Sequence, residues 1–360
     1  MNVRDIFSRL IFSILFFTFL VYPKKIILTG GAGFIGSHVA EKLLQRGDCV
    51  VIIDNINDAY DSCFKDYNLS LIKTRNKNDN LVIYKADICD FNAINNIFEQ
   101  ERPDVICHLA ARAGVRTSIE DPQEYFRTNN NGTLMMFEMA RKFGIKHVVA
   151  ASSSSVYGVR EDGPFRETDA VEKQSSPYGM TKRAGELLAY VYYHLFGISS
   201  TNLRFFTVYG PRGRMDMAPF IFMDAIYNKR PITVFGDGTA IRDFTYVGDI
   251  VDGIIKSIDN PLEYQIVNLG RGEPIVLSDF IKVIESVVGR DADIEYTASF
   301  SGDVPQTHAD VEKAQRLLGY KPQVSIAYGL EKMYEWYEEE YLSLVGHKKI
   351  NSSRVYVLVE

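Results

Sequence analysis

KIILTGGAGFIGSH, residues 25–38, runs from an apolar strand into a helix through a turn rich in glycine. Gly31, Gly33 and Gly36 have the spacing G-x-G-x-x-G directly after the strand. Such glycines permit a tight turn and let a pyrophosphate approach the N terminus of the helix, where N–H groups and the helix dipole favour anions. The stretch therefore predicts a dinucleotide-binding site and the first strand of the sheet that carries it.

The next apolar run, CVVIIDN, ends in Asp54, about 20 residues beyond the glycines. A carboxylate at this point can bond a ribose 2′-hydroxyl and repels a 2′-phosphate. We therefore predict that the cofactor is NAD rather than NADP. Asp87, after the third strand, lies where the adenine is expected.

Short apolar strands alternate with helix-period segments from residue 25 to about residue 206. This alternation is typical of a parallel sheet covered by helices on both faces. The predicted strands are KIILTG, CVVIIDN, LVIYKAD, DVICHLA, HVVAASS and TNLRFF. We predict an α/β fold, a Rossmann-type doubly wound parallel sheet with a smaller C-terminal substrate-binding lobe. The predicted segments are an apolar leader (1–23), an NAD-binding domain (24–206, with segments near 243–275 returning to it), a mainly substrate-binding lobe (207–345) and a tail (346–360).

The apolar run at residues 10–22, LIFSILFFTFLVY, is uncharged and is flanked by basic residues on both sides. Its 13 residues are fewer than the ~20 that cross a bilayer as a helix. No small-residue cleavage site of a signal peptide follows it. Three interpretations stay open: a leader that makes weak membrane contact, a buried N-terminal extension, or a start codon assigned too far upstream. No motif precedes Ile26, so we expect residues 1–22 to be dispensable for catalysis.

Charge and cysteine usage narrow the class of protein. The net charge of −6 provides no basic surface, so nucleic-acid binding is not expected. The histidines and cysteines lack metal-ligand spacing, and no metal site is predicted. The four cysteines, none of them in a C-x-x-C pair, indicate reduced thiols in a cytoplasmic protein.

The stretch SSPYGMTKRAGE, residues 175–186, predicts a helix that carries a catalytic pair. Ser175 or Ser176 can cap this helix, and Pro177 suits its first turn. Tyr178 and Lys182 then fall at positions i and i+4, on one helical face. A free tyrosine, with a pKa near ~10, is a poor base at neutral pH. A lysine ammonium and a positive nicotinamide ring beside it would both favour the phenolate.

Together with HLAARAGVR, TNNNGT, RFFTVYGPRGR, RDFTYVGDI and GDVPQTHAD, these motifs resemble the extended short-chain dehydrogenase/reductase family, from about Lys24 to about Tyr341. As a set they most closely resemble the UDP-glucuronate 4-epimerases. The resemblance implies Tyr178, Lys182 and Ser153 as catalytic residues, and Asn129 as a residue that steadies the nucleotide site. The predicted cofactor-binding set is Gly30, Gly31, Gly33, Phe34, Ile35, Gly36, Asp54, Asn55, Asp87, Ile88, Leu109, Ala110, Ala111, Asn129, Tyr178 and Lys182.

Four consecutive serines, Ser152 to Ser155, end the strand HVVAASS and should face the sugar, because ligands lie beyond the carboxyl ends of parallel strands. Related dehydratases carry an Asp-Glu pair just before the Val-Tyr-Gly, and the decarboxylases carry a Glu there. Here those positions are Ser154 and Ser155, whose hydroxyls bond but are neither acids nor bases near pH 7. The chemistry should therefore stop at reversible oxidation of the sugar, which is the reaction of an epimerase.

The resemblance also implies a substrate site for a UDP-sugar. In this prediction Arg214 and Arg242 clamp the diphosphate, since arginine binds phosphate oxygens bidentately. Asp303 holds the ribose, and the surroundings of Val234 and Phe235 receive the uracil. Arg116 is a candidate to line the sugar pocket, and a surface or pyrophosphate-pairing arginine stays open. The complete predicted set is Arg116, Ser153, Ser154, Ser155, Thr207, Arg214, Val234, Phe235, Arg242 and Asp303.

The predicted reaction is 4-epimerisation of UDP-glucuronate to UDP-galacturonate. Three alternatives stay open: a 4-epimerase for UDP-glucose or a UDP-N-acetyl sugar, a UDP-glucuronate decarboxylase, and a non-catalytic NAD-binding protein. The retained Tyr178 and Lys182 disfavour the last of these. A homodimer is expected, because relatives commonly pair through helices like those that follow residues 121 and 176.

Overall fold

The computed structural model of the chain describes residues 23–299 and 304–346. The strands of this part are β1 (Lys25–Thr29), β2 (Cys49–Asp54), β3 (Leu81–Lys85), β4 (Val105–His108), β5 (His147–Ser153), β6 (Ser199–Phe205), β7 (Thr207–Tyr209), β8 (Ile232–Phe235), β9 (Ile241–Arg242), β10 (Phe244–Tyr246), β11 (Tyr264–Leu269), β12 (Ile275–Val276) and β13 (Ile294–Thr297). The helices are α1 (Phe34–Gln45), α2 (Cys63–Arg75), α3 (Phe91–Glu101), α4 (Val115–Glu120), α5 (Pro122–Tyr125), α6 (Gly132–Phe143), α7 (Pro177–Phe196), α8 (Ala218–Tyr227), α9 (Val247–Asp259), α10 (Leu277–Val288), α11 (Glu312–Leu318), α12 (Ile326–Trp336) and α13 (Leu342–Gly346). A 3₁₀ turn covers Ser154–Tyr157, and π-helical turns cover Phe126–Asn131 and Tyr337–Tyr341.

Seven parallel strands form the main sheet, in the order β11-β6-β5-β4-β1-β2-β3. The chain moves outward from β1 to β3 and then crosses back to β4 on the other side of β1. Open α/β sheets bind ligands beyond the carboxyl ends of the strands at such a reversal. The predicted α/β fold with a parallel sheet is confirmed, and its reversal directs attention to the ends of β1, β4 and β5.

Strands β1 and β2 are mainly apolar because helices cover both faces of the sheet. Ile26 and Leu28 of β1 belong to a core shared with α1 and α9, whereas Ile27 belongs to a core shared with α3, α6 and α7. Successive side chains of a strand point to opposite faces, so one five-residue strand contributes to both cores. The centre of the sheet is thus a rigid support for the loops at its carboxyl edge.

The smaller lobe has its own core, built mainly from α8, α10 and α12. Phe244 and Phe280 stack within it, with ring centroids 3.8 Å apart. Two short parallel pairs, β10–β7 and β13–β8, and an antiparallel pair, β12–β9, complete the lobe. Strand β11 returns to the main sheet, while the boundary near residue 206 stays a prediction.

Residues 1–22 of the predicted leader (1–23) and residues 347–360 of the predicted tail (346–360) lie outside the described residues. Among the helices that are described, none combines the length and the apolar character needed to cross a bilayer.

Candidate active site

Glycines in the turn between β1 and α1 allow two stretches of main chain to lie in close contact. Gly30 has φ +73°, a left-handed conformation that favours glycine. A Cβ atom at Gly36 would lie 2.1 Å from the carbonyl oxygen of Gly30, so only glycine fits there. No side chain caps the N terminus of α1 at Gly33. The start of the helix is therefore available to an anion.

This turn forms one side of a cleft at the carboxyl edge of the sheet. Most of the predicted cofactor residues line it: Gly30, Gly33, Phe34, Ile35, Gly36, Asp54, Asn55, Ile88, Leu109, Ala110, Ala111, Tyr178 and Lys182. Gly31, Asp87 and Asn129 are not part of this lining. A Cβ at Gly31 would come within 2.7 Å of the Ile52 side chain, so Gly31 serves the packing of the turn on β2.

Two carboxylates organise the far end of the cleft. Asp54 accepts hydrogen bonds from the main-chain N–H groups of Ala32 (3.1 Å) and Ile56 (2.9 Å), and it is 8% exposed. Asp87 accepts from Cys89 N–H at 2.8 Å and from the Arg127 guanidinium at 3.1 Å. Partial burial opposes ionisation of Asp87, but these bonds outweigh it and lower the pKa of the carboxyl. Asp54 is thus fixed at the cleft, while Asp87 supports the neighbouring loop.

The cleft residues that sequence reasoning missed include Asn57, Tyr60 and Lys65. Lys65 Nζ donates to the carbonyl oxygen (3.0 Å) and the side-chain oxygen (2.6 Å) of Asn57, and it lies 5.0 Å from the centroid of the Tyr60 ring. Burial lowers the pKa of Lys65. Asn57 and Tyr60 lie between β2 and α2, and Lys65 lies in the first turn of α2. No hydrophobic period or known spacing in these residues would have identified them.

Helix α7 delivers Tyr178 and Lys182 to the junction of the cleft and the sheet. Ser176 Oγ accepts from Gly179 N–H at 3.1 Å, which caps the helix as predicted. Lys182 Nζ donates to the carbonyl oxygen of Ala151 on β5 at 2.9 Å and lies 6.0 Å from the centroid of the Tyr178 ring. Burial lowers the pKa of Lys182 to about 8, against the opposing charge of Glu186. The two side chains are buried together on one helical face.

The serines at the end of β5 divide between the two faces of the strand. Ser153 Oγ donates to Ser155 Oγ at 3.1 Å, and it accepts from the N–H of Ser155 at 3.1 Å. Ser152 borders the cleft, but its hydroxyl donates to the buried carboxylate of Glu186 at 2.7 Å. The expectation that all four hydroxyls face a sugar is therefore wrong for Ser152. Neighbouring side chains of a strand point to opposite faces, and a buried partner takes the Ser152 hydroxyl.

A second pocket adjoins the cleft and shares Phe34, Ile35, Ser152 and Tyr178 with it. Hydroxyl side chains dominate its polar wall: Ser153, Ser154, Ser155, Ser175, Thr207 and Thr307. Arg214 also borders both spaces. Among the described residues that line this second pocket, none carries a carboxylate. The pocket thus offers hydrogen bonds and one cation to a polar ligand.

Two arginines lie along the route from this pocket toward the smaller lobe. The Arg214 guanidinium donates to Asp216 (3.0 Å from Nε) and to the carbonyl oxygen of Ala113 (3.3 Å). Arg116 is 8% exposed, and its guanidinium carbon lies 4.2 Å from the centroid of the Phe235 ring. The alternative of a surface arginine is therefore wrong for Arg116.

A third cleft, in the smaller lobe, is lined by Phe235 and Arg242, and it shares Val304 with the second pocket. Arg242 is 2% exposed and donates to the carbonyl oxygen of Ile241 at 3.0 Å. The Val234 side chain is fully buried in the lobe's core and does not line this cleft. Asp303 lies outside the described residues.

Asn129 is connected to the site by hydrogen bonds to Arg112 and Thr181. Its side-chain oxygen accepts from Arg112 N–H (2.7 Å), and its nitrogen donates to Arg112 O and to Thr181 Oγ1 (both 2.9 Å). Thr181 Oγ1 in turn donates to the carbonyl oxygen of Tyr178 at 2.8 Å. Asn129 therefore joins the loop after β4 to the first turn of α7.

The sequence profile of the GDP-mannose 4,6-dehydratase family matches residues 27–333. A UDP-glucuronate 4-epimerase from Thermodesulfobacterium geofontis is 45% identical over 314 residues, 87% of this chain and 96% of that protein. The crystal structure of a UDP-glucuronic acid 4-epimerase from Bacillus cereus, in complex with UDP-glucuronic acid and NAD, has a TM-score of 0.82, 35% identity, and coverage of 88% and 99% of the two chains. A UDP-glucose 4-epimerase from Thermotoga maritima, with UDP-glucose, has a TM-score of 0.77 and 30% identity over 88% and 99%.

Proposed function

The chain belongs to the GDP-mannose 4,6-dehydratase family of the extended short-chain dehydrogenases/reductases, and from this premise we propose that it is an NAD-dependent 4-epimerase of UDP-glucuronate. The product is UDP-galacturonate. The observation that carries the proposal is the second pocket, whose described polar lining consists of hydroxyl groups and Arg214 without a carboxylate.

The first cleft fits a dinucleotide. The glycine turn leaves no room for side chains between β1 and α1, and the uncapped start of α1 suits a pyrophosphate. Asp54, fixed by two main-chain N–H groups, suits a ribose diol and opposes a 2′-phosphate. Bound NAD supplies a hydride acceptor for C4 of the sugar and later returns that hydride to the opposite face.

Tyr178 is the base that this chain provides. In the proposal its phenolate takes the proton of the sugar 4-hydroxyl, directly or through the hydroxyl of Ser153, and gives it back after the sugar has turned. Lys182 supports the phenolate by its charge, which its bond to Ala151 O holds in place. Ser153, whose hydroxyl is bonded to Ser155, lines the same pocket as Tyr178, which supports its proposed role in the proton relay.

The proposed preference for an acid sugar rests on the hydroxyl groups and the arginine that line the second pocket, and on the lack of a carboxylate among its described lining residues. A 4-keto glucuronate is a β-keto acid, which loses carbon dioxide readily when its carboxylate is poorly solvated. Hydroxyls at Ser154, Ser155 and Thr207 can hold that carboxylate by hydrogen bonds, and Arg214 supplies a nearby cation. A carboxylate side chain in the same wall would repel the substrate.

The nucleotide half of the substrate is proposed to extend past Arg214 and Arg116 into the third cleft. Phe235 offers an aromatic face there and Arg242 a cation, which suit a uracil and a diphosphate. The role of Asp303 in holding the ribose of the UDP group remains a prediction.

The second candidate is a 4-epimerase of a neutral UDP-sugar, favoured by the likeness to the Thermotoga maritima UDP-glucose 4-epimerase. One experiment separates the two candidates: the purified protein is incubated with UDP-glucuronate, UDP-glucose and UDP-N-acetylglucosamine separately, and products are resolved by chromatography and mass. UDP-galacturonate as the main product supports the proposal. Reaction with UDP-glucose alone would overturn the acid-sugar assignment, and a pentose product would indicate a decarboxylase.

We also propose that the protein forms a homodimer through the outer face of α6 and α7. Leu134, Leu187, Tyr190, Val191 and Leu195 are all more than 40% exposed on these two helices, which pack against each other. An apolar surface of this kind is costly to leave in water, and a second copy would cover it with the same face.

A cytoplasmic location is proposed from the cysteines, none of which in the described residues is disulfide-bonded.

A further inference from the structure

Glu186 is a buried carboxylate one helical turn beyond Lys182 on α7. Only 1% of its side chain is exposed, and the side chain of its partner Arg204 on β6 is also 1% exposed. A buried charge is costly unless it is paired and hydrogen-bonded. The arrangement around Glu186 meets that condition, and it lies directly beneath the proposed catalytic pair.

Both carboxylate oxygens of Glu186 are satisfied. Oε1 accepts from Ser152 Oγ at 2.7 Å and from Arg204 Nε at 2.8 Å. Oε2 accepts from Arg204 at 2.9 Å and from Arg183 at 2.9 Å. The bond to Ser152 ties α7 to β5, and the bonds to Arg204 tie α7 to β6.

These bonds set the register of the helix on the strand. Lys182 is bonded to the carbonyl oxygen of Ala151, and Glu186 is bonded to the side chain of the next residue, Ser152. The following residue, Ser153, turns its hydroxyl to the second pocket. A shift of α7 by even a fraction of a turn would break both anchors and move Tyr178 relative to Ser153.

Glu186 also supplies negative charge beside two buried cations, Lys182 and Arg204. The titratable groups around Lys182 are His108 on β4, Tyr125 on α5, Arg204 on β6, and Tyr178, Arg183 and Glu186 on α7. Burial holds the pKa of His108 at about 3, so this imidazole adds no charge at neutral pH. Glu186 is therefore the carboxylate of this group.

We propose that Glu186 is a positioning residue for the epimerase reaction, which holds α7 in register on β5 and keeps Lys182 protonated beside Tyr178. The inference rests on the proposed roles of Tyr178 and Lys182. It assigns the Ser152 hydroxyl to this buried network rather than to the substrate.

The test is the dependence of kcat on pH between about 6 and 10 for the NAD-loaded enzyme. Charged Lys182 is required, so kcat of the wild type should fall as pH rises through about 8, the pKa to which burial lowers this lysine. Glu186→Gln keeps the shape but removes the charge, so the alkaline limb should move to lower pH. Well above pH 8, a limb moved down by one pH unit corresponds to an additional loss of about tenfold in kcat relative to pH 6.5.

Three matched variants separate charge from structure. Glu186→Asp retains the charge, so the position of the alkaline limb should be retained even where kcat falls. Ser152→Ala removes one hydrogen bond without changing charge and should leave the limb in place. Arg183→Gln removes a partly exposed cation that is bonded to Glu186 but does not set the pKa of Lys182, so it should leave the limb near its wild-type position.

A wild-type pH profile in Glu186→Gln would overturn the proposal, whatever its kcat. Should Glu186→Gln fail to fold, an alkaline limb moved to lower pH in Glu186→Asp, which keeps the charge, would overturn it equally. The series needs only a UDP-sugar that the wild type turns over, so a different sugar would contradict the proposed substrate and leave this test intact. Near-normal turnover in Tyr178→Phe would instead remove the catalytic assignment on which the inference depends.

Discussion

Lys182 on α7 donates a hydrogen bond to the main-chain oxygen of Ala151, two residues before Ser153 on β5. The bond crosses from a helix to the centre of the parallel sheet, so the position of the ammonium is fixed by the most rigid part of the fold. A surface lysine would lose most of its effect on a neighbouring phenol to solvent screening. The electrostatic support of Tyr178 therefore depends on the packing of α7 as much as on the lysine itself.

Replacement of Tyr178 by phenylalanine tests the proposed base. Turnover should fall on the order of 10² or more, the usual scale for loss of a general acid–base group. Folding and NAD content should stay close to those of the wild type, because only one hydroxyl is removed. Tyr328→Phe, at a tyrosine that is 51% exposed, is the matched control and should react normally. A Tyr178→Phe enzyme with near-normal kcat would exclude Tyr178 as the base.

Cofactor preference should depend on Asp54. The wild type should contain or use NAD and use NADP poorly. Asp54→Asn retains an acceptor for Ala32 N–H but removes the charge, so the NAD/NADP ratio of kcat/KM should narrow. Asp54→Ala should narrow it too, with lower stability because two main-chain N–H groups lose their acceptor. Equal use of both cofactors by the wild type would show that Asp54 does not read the ribose.

Product distribution tests the role assigned to the serines. With UDP-glucuronate, the two C4 epimers should remain within about tenfold of each other at equilibrium, a gap of ~1.4 kcal/mol, and little pentose should form. Ser155→Glu introduces an acid where decarboxylases carry one. We expect a rise in KM from charge repulsion and a detectable pentose fraction by mass-resolved analysis. Ser155→Gln is the uncharged control, and a pentose from the wild type would refute this account of the serines.

Acid should destabilise the fold from about pH 6.5 downward. Burial lowers the pKa of His38 and of His108 to about 3, from 6.5 in the unfolded chain. Between these values the unfolded chain binds a proton on each histidine and the folded chain does not. Each histidine therefore costs the folded state about 1.4 kcal/mol for every pH unit below 6.5.

Urea midpoints measured at pH 7.5 and pH 5.0 check this expectation. The loss between the two pH values should be smaller in His108→Gln, which has one such group fewer, even if its stability at pH 7.5 is lower. His194 is exposed on α7, and His194→Gln should leave the loss unchanged. Equal losses in His108→Gln and the wild type would contradict the assignment of a neutral buried imidazole.

The proposed dimer can be tested on its apolar face. Leu187 is 52% exposed, so Leu187→Glu should leave the monomer folded while placing a charge in the interface. Light scattering after gel filtration should report the mass of two chains for the wild type and of one chain for the variant. Lys282→Glu, at an exposed position on α10, is the control for added negative charge. A monomeric wild type would overturn the proposed dimer.

The strands, the glycine turn and the capped start of α7 could be predicted from sequence because each depends on near neighbours along the chain. Ser153 and Ser155 form a pair two residues apart, within reach of local reasoning. Ser152 was beyond it, since its partner Glu186 lies 34 residues away and is brought close only when α7 packs on β5.

The smaller lobe shows the same limit. The apolar run that forms β8 predicts a strand, but it does not indicate which side chain faces outward. Pairing with β13 and packing against α8 bury Val234, while Phe235 faces Arg116 and the third cleft. Lys65 was missed for a related reason: its contacts with Asn57 and Tyr60 arise from the path of an irregular loop.

Strand β11 has a consequence for the chain while it is being synthesised. Its first residue, Tyr264, lies 59 residues after the last residue of β6, Phe205, so β6 is an open edge until β11 arrives. At about 5–20 residues per second that interval lasts roughly 3–12 s on the ribosome. Edges of this kind recruit other chains unless polar or charged side chains disfavour pairing. The sequence of β6, SSTNLRF, is the most polar of the sheet's inner strands. Its polar side chains, Arg204 included, therefore disfavour pairing of the nascent edge with other chains. In the folded protein the same Arg204 is buried in an ion pair with Glu186.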